Sequence, residues 1–462
     1  MPKCHANITS FASFVTTCVL LIMQRSSSHL SCLQLNFLQP PTDKRACVIG
    51  AGISGLATAR YLQQFGVNFT VFEATPHIGG TWHFDPRVGN DEYGVPVFTS
   101  MYKNLRTNTP QQTMIFAGYP FPEGSPSYPA GPCYYKYIKS FVKHFDLMKS
   151  IRFQNLVTGI RWAGKKWEVT AKQSDTGVEH KEECDFVMIG SGHYTHPLSP
   201  KIEGKEKFKG NIIHSHDYRE PEPYKNRRVL IVGAGASGLD LVTHLIPYAT
   251  KLVHSHHLVY NQPNFPKNFV KKPDIKMFTE TSVVFKDGTE EEVDDVIFCT
   301  GEFKFKFINK NAGVTTSGKF VLPLYQHLVN IRHPTMMFIG LTRKTITRVL
   351  DAQAEYAAAL AAGKFKLPPK EVMLKTWLSH VYELQKQDKK IVDVNLVGPD
   401  NQVTEAGITR APPVLTDIMI FNGKIRLDDL LNYRDYDFTI IDDNHYERKY
   451  NPRKELDCPI DV

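Results

Sequence analysis

The chain has no Cys-x-x-Cys pair, no block of five or six like charges, and no apolar run of the roughly 20 residues that span a bilayer. Each absence removes a class of protein. Without paired cysteine or histidine ligands no metal site is expected. The net charge of +8 is spread along 462 residues, so no basic stripe argues for nucleic acid. A composition of 42% hydrophobic and 22% charged residues excludes disorder and leaves room for more than one core. Eight cysteines are too scattered to read as a framework. Cys4, Cys18 and Cys32 lie in an N-terminal leader. Cys47, Cys184 and Cys299 sit in short apolar strands, where a free thiol behaves as a small hydrophobe. Cys133 and Cys458 remain, and the redox compartment is not legible from them.

The longest apolar run, Phe11 to Met23, follows Lys3 and precedes a polar Ser26-Ser27-Ser28 stretch. Its length suits the h-region of a secretory signal, with a membrane anchor as the competing reading. Residues 1–43 are read as this leader and its Pro40-Pro41 linker. The C-terminal residues 441–462 are polar, with no second hydrophobic span.

Two segments then repeat one pattern. Ala46-Cys47-Val48-Ile49 runs into Gly50-Ala51-Gly52-Ile53-Ser54-Gly55 and a helical stretch. Val229-Leu230-Ile231-Val232 runs into Gly233-Ala234-Gly235-Ala236-Ser237-Gly238 and another. Continuous aliphatic runs are the mark of parallel strands buried on both faces. A G-x-G-x-x-G pattern between strand and helix binds a dinucleotide for separable reasons. Gly50 and Gly233 permit the tight turn, Gly52 and Gly235 let the backbone approach a pyrophosphate, and Gly55 and Gly238 let helix pack on strand. Ser54 and Ser237 join the helix N-termini that face the phosphates.

Glu73 ends the next strand, 23 positions after Gly50, where a carboxylate can hold a ribose hydroxyl. The corresponding position in the second unit is His256, after Ser255, with no acid present. A carboxylate would repel a 2′-phosphate, so the first site suits FAD and the second NADPH. Two later strands end in Gly190-Ser191-Gly192 and Thr300-Gly301, which doubles the unit again. The expected fold is α/β with two Rossmann-like dinucleotide-binding domains, the second inserted into the first. The boundaries are residues 44–205 for the first part of the FAD domain and 206–300 for the NADPH domain. Residues 301–440 then hold the second part and the C-terminal region. Gly79-Gly80-Thr81-Trp82 contains no cysteine, which disfavours a dithiol reductase, and two dinucleotide sites disfavour a simple amine oxidase.

Between the two fingerprints, Phe208-Lys209-Gly210-Asn211-Ile212-Ile213-His214-Ser215-His216-Asp217-Tyr218 resembles the F-x-G-x-x-x-H-x-x-x-Y signature of flavin-containing, class B monooxygenases. Gly79 to Trp82, Leu105 to Pro110, Pro323 to His327 and Phe338 to Leu341 resemble further blocks of that family. The compact length and the His256-His257 pair resemble its insect branch, the pyrrolizidine alkaloid N-oxygenases.

The resemblance implies an enzyme that consumes NADPH and O₂ and oxygenates a tertiary amine or sulfide through a C4a-hydroperoxyflavin. It implies Asn108 beside the flavin as the catalytic amide, Gly80, Trp82, Thr300 and Gly301 as cofactor contacts, and Phe208, Gly210, His214 and Tyr218 as a linker between domains. A Baeyer–Villiger enzyme on the same scaffold, or an uncoupled NADPH oxidase, is the alternative. Glu302 stands where many relatives carry an aromatic residue and would favour a cationic amine. A leader without the hydrophobic C-terminal tail of many relatives points to a secreted or endoplasmic-reticulum luminal enzyme without a stable membrane span.

Overall fold

The computed structural model describes residues 42–461 except 194–196, 198, 260–264, 302–304, 318–319, 342–345, 390–393, 396–406, 409–410 and 453–457. Residues 1–41 of the leader and Glu302 lie outside the described residues, and residues 42 and 43, read as the end of the linker, already belong to the first strand.

The first aliphatic run forms β1 (Thr42–Ile49), an interior strand of a seven-stranded sheet. Its neighbours are the parallel strands β2 (Val67–Phe72) and β7 (Phe186–Ile189). The sheet extends through β3 (Ile151–Arg152) on one side. On the other it takes β20 (Met336–Phe338), then the antiparallel β19 (Val329–Asn330) and β18 (Leu324–Tyr325).

Why β1 is apolar throughout is visible in its burial. Ala46 and Val48 enter one core, Cys47 and Ile49 the opposite one. The first core is covered by α1 (Ile53–Gln64), α2 (Gly131–His144) and α4 (Thr347–Ala361). Ala354, Ala357, Ala358 and Ala361 of α4 are fully buried, and such small side chains let helix approach helix closely. The second core lies under the antiparallel meander β4 (Asn155–Trp162), β5 (Trp167–Gln173) and β6 (Glu179–Cys184), filled by Trp167.

Residues 211–298 build a separate sheet, all parallel, in the order β11-β10-β9-β15-β8. These are β8 (Asn211–His214), β9 (Arg228–Val232), β10 (Lys251–Ser255), β11 (Phe269–Lys272) and β15 (Asp295–Phe298). One face is covered by α3 (Ala236–Leu245) and α6 (Pro413–Asp428), the other by the antiparallel β12 (Ile275–Phe278), β13 (Ser282–Phe285) and β14 (Glu290–Glu292). The chain therefore leaves the first sheet, completes the second and returns, as an inserted domain requires. A hairpin of β16 (Thr315–Ser317) and β17 (Phe320–Leu322) lies between β15 and the return at β18, and α5 (Lys370–Lys386) follows α4.

The C-terminal region is more structured than its polarity suggests. β21 (Tyr436–Ile440) pairs with β22 (Tyr446–Tyr450), and Ile460 is buried in the first core. Beside it Cys458 is disulfide-bonded to Cys133 of α2, with Cα atoms 5.5 Å apart, inside the usual range. Sequence spacing gives no reason to pair two residues 325 positions apart; the docked tail does. Cys47 and Cys184 are also joined, which corrects their reading as free thiols, whereas Cys299 is free. Among the described residues no helix is long and apolar enough to cross a membrane.

Candidate active site

The two glycine turns are built alike. Gly50 (φ +95°) donates its N–H to Phe72 O at 2.8 Å, and Gly233 (φ +105°) donates to Ser255 O at 2.9 Å. Each glycine thus ties the end of its own strand to the end of the next. Both helices that follow begin at a glycine, Gly52 or Gly235, with no side-chain cap, which leaves first-turn N–H groups open to an anion. A Cβ on Gly235 would meet no atom within 4 Å, and one on Gly52 only the Gly80 backbone at 3.7 Å. Those open cradles fit a pyrophosphate. Ser54 is half-buried and Ser237 exposed on the first turns of α1 and α3.

Beside the first turn, the buried Glu73 carboxylate accepts from Ala51 N at 2.7 Å and from Thr75 N and Oγ1 at 2.9 and 2.7 Å. Burial raises its pKa against these stabilising donors. Three bonds leave acceptor capacity for a ribose hydroxyl. Gly340 holds a left-handed backbone (φ +83°) that favours glycine, and its N–H donates to Gln353 Oε1 at 2.9 Å. The Gln353 Nε2 is buried without a partner among the described residues, as is the Thr107 hydroxyl. Such orphaned groups suit a bound polar cofactor.

The second turn contains a residue that sequence reading passed over. His254 is fully buried and donates from Nε2 to Gly233 O at 2.9 Å. Burial pushes its pKa down to about 3 and that of His256 down to about 4, so both imidazoles are neutral near pH 7. Ser255 donates to Pro273 O at 2.7 Å and turns its hydroxyl into the sheet edge.

The sign of the resulting pH dependence is fixed. An unfolded histidine binds a proton below about pH 6.5, whereas folded His254 resists until about pH 3, so folding stability falls as pH drops through this window. Exchange of His254 for Gln keeps a donor for Gly233 but removes the titration. We expect the stability gap between the two proteins to narrow by about 2 kcal/mol between pH 7 and pH 5. A gap independent of pH in denaturant titrations would contradict the buried neutral imidazole.

The linker signature has physical reasons at each position. A Cβ on Gly210 would strike the Phe208 ring and Asp294 O at 2.6 Å. His214 donates from Nε2 to Thr300 O and accepts at Nδ1 from His216 N at 3.0 Å, clamping the end of β8 to the loop of Thr300 and Gly301. Tyr218 is buried against Tyr102 and hydrogen-bonds His244 Nδ1 at 2.8 Å. The adjoining Arg219, unmarked by any motif, donates to the carbonyls of Asp85, Arg87, Thr99, His216 and Tyr218. It rivets the linker to the loop that carries Gly80 and Trp82. Trp82 itself packs on Tyr134, with ring centroids 4.3 Å apart.

Asn108 is half-buried in the loop before α2, and its side-chain amide makes no hydrogen bond to the protein among the described residues. The carbonyls on either side of it are held by side chains from the C-terminal region. Asn422 Nδ2 donates to Asn108 O at 3.1 Å, and Arg434 Nε donates to Thr107 O at 2.9 Å.

Comparison with known proteins turns this geometry into a family. The model of the flavin-binding monooxygenase-like family matches residues 43–258 and 266–401. The chain belongs to the flavin-binding monooxygenase-like family. It is 49% identical to the senecionine N-oxygenase of Tyria jacobaeae over 436 residues, covering 92% of this chain and 95% of that one. It is 33% identical to the trimethylamine monooxygenase of Roseovarius sp. (strain 217), covering 72% of this chain and 78% of that one. Among solved structures, the S-allyl-L-cysteine S-oxygenase of Allium sativum superposes with a TM-score of 0.78 at 29% identity, covering 85% of this chain and 95% of that one. This flavin-binding monooxygenase is an FAD- and NADPH-dependent enzyme, and its relatives oxygenate nitrogen or sulfur.

Proposed function

We propose that the chain is an N-oxygenase of bulky tertiary amines of the pyrrolizidine alkaloid kind. The observation that carries this reading is the end-to-end identity with senecionine N-oxygenase, 49% across nearly the whole of both chains. Bound FAD, reduced by NADPH, supplies activation of O₂. Glu73 holds the ribose of FAD, and the open N–H groups after Gly52 and Gly235 hold the two pyrophosphates. Gly80, Trp82, Thr300 and Gly301 border the cofactor, and the hydroxyl of Ser255 serves the sheet edge. Asn108 offers a neutral amide that donates a hydrogen bond without delivering a proton. Phe208, Gly210, His214 and Tyr218 set the angle between the domains. The N-terminal run supports a secreted or luminal enzyme, to be checked by N-terminal sequencing of protein from insect-cell medium.

The amine must reach the site unprotonated, because only the free base has a lone pair to form the N–O bond. We expect kcat/KM to rise about tenfold per pH unit below the pKa of the amine and to level off above it. The deciding assay supplies purified holoenzyme with NADPH, O₂ and, in turn, senecionine, trimethylamine, a thioether and cyclohexanone. N-oxide formed in step with NADPH loss is the expected result. Lactone from the ketone would favour Baeyer–Villiger chemistry, and peroxide alone would identify an uncoupled oxidase.

A further inference from the structure

We propose that Asn422 and Arg434, from the C-terminal region, are positioning residues that aim Asn108. Three successive backbone carbonyls in the Asn108 loop accept from these two side chains. Arg434 Nη2 donates to Arg106 O at 3.3 Å, its Nε to Thr107 O at 2.9 Å, and Asn422 Nδ2 to Asn108 O at 3.1 Å. The donors lie more than 300 positions away in the chain, so the contacts are tertiary and not part of a local turn. Fixing the carbonyls on both sides of Asn108 fixes its two peptide planes and hence the direction of its Cα–Cβ bond.

The donors are themselves held. Asn422 is 2% exposed on α6, and its Oδ1 accepts from the Tyr128 hydroxyl at 2.7 Å. Arg434 also pairs with Asp240, which accepts from Tyr102 as well. Asp240 is buried on α3, the helix that opens at the second glycine turn. One carboxylate thereby joins the NADPH-domain helix, the Tyr102 loop and the arginine that grips Arg106 and Thr107. A shift of α3 would be transmitted to the loop of Asn108. Displacement of a positioning group by about 1 Å costs on the order of 100-fold in rate.

This inference rests on the reading of Asn108 as the amide beside the flavin, and the experiment separates the two. Asn422→Leu removes the donor at nearly constant volume; Tyr128→Phe/Asn422→Leu also removes the hydroxyl that the first change strands in the core. Asn108→Ala is measured in parallel. Coupling, as N-oxide formed and peroxide released per NADPH, is counted per flavin-bound enzyme, so a loss of folded or loaded protein does not enter. Hydrogen exchange of the peptide covering residues 104–112 is followed in flavin-free protein.

For the double variant we expect peroxide per NADPH to rise at least fivefold, KM for NADPH to stay within twofold, and exchange in the 104–112 peptide to quicken about tenfold. If Asn108→Ala uncouples the enzyme while the double variant couples normally and exchanges normally, the positioning role is overturned. If Asn108→Ala leaves coupling intact, the reading of Asn108 fails and the inference falls with it.

Discussion

Gly55→Ala is expected to yield a colourless protein that does not recover flavin on reconstitution. The added methyl would overlap the Gly50 carbonyl oxygen and press on its carbon at 3.0 Å, with Val48 Cγ1 at 3.5 Å behind. The atoms in the way are backbone in the turn, so no side-chain rotation relieves them. Overpacking of a rigid site costs about 3 kcal/mol or more, which lowers FAD affinity at least roughly 100-fold if the chain folds at all. Gly423→Ala, in α6 with nothing within 4 Å of the new methyl, is the matched control and should stay yellow. A flavin-replete Gly55→Ala protein would show that the first turn does not hold the pyrophosphate.

Gly238→Ala should break the other half of the enzyme and spare the first. Here the methyl would overlap the Gly233 carbonyl oxygen, with its carbon at 2.8 Å. The same steric cost falls on a different sheet, with its own two cores. The variant should purify yellow and be reduced normally by dithionite, yet show a KM for NADPH raised at least roughly 100-fold. Normal reduction by NADPH would remove the second turn from the NADPH site.

The two variants together test which parts of the molecule the primary structure discloses. Strand, glycine turn and helix were legible twice because the signal is local: apolar runs buried on both faces, then glycines whose methyl-free backbone is needed within five residues. Even there the helices begin at Ile53 and Ala236, inside the glycine pattern and not after it, because each turn caps directly into its helix. Glu73 was legible because its distance from Gly50 is set by one helix and one strand.

Residues that work across the fold left no such trace. His254 matters through a carbonyl 21 positions away, Arg219 through carbonyls up to 134 positions away, and Asp240 through Arg434 at 194. None belongs to a periodic pattern or a motif. His256 was legible as the non-acidic residue at the end of β10; its burial, which holds the imidazole neutral, was not. The polar look of the last 22 residues concealed β22 and a buried isoleucine, since a hairpin and a single anchoring side chain need few apolar positions.

The bond between Cys133 and Cys458 makes most of the polypeptide a covalent ring. A protease that cuts once within the 325 positions it encloses leaves a molecule of unchanged mass on a non-reducing gel, both fragments still attached. Only a thiol reductant would release them. A chain nicked in an exposed loop between the two cysteines would thus persist as one body, its pieces tied at α2 and at the C-terminal tail.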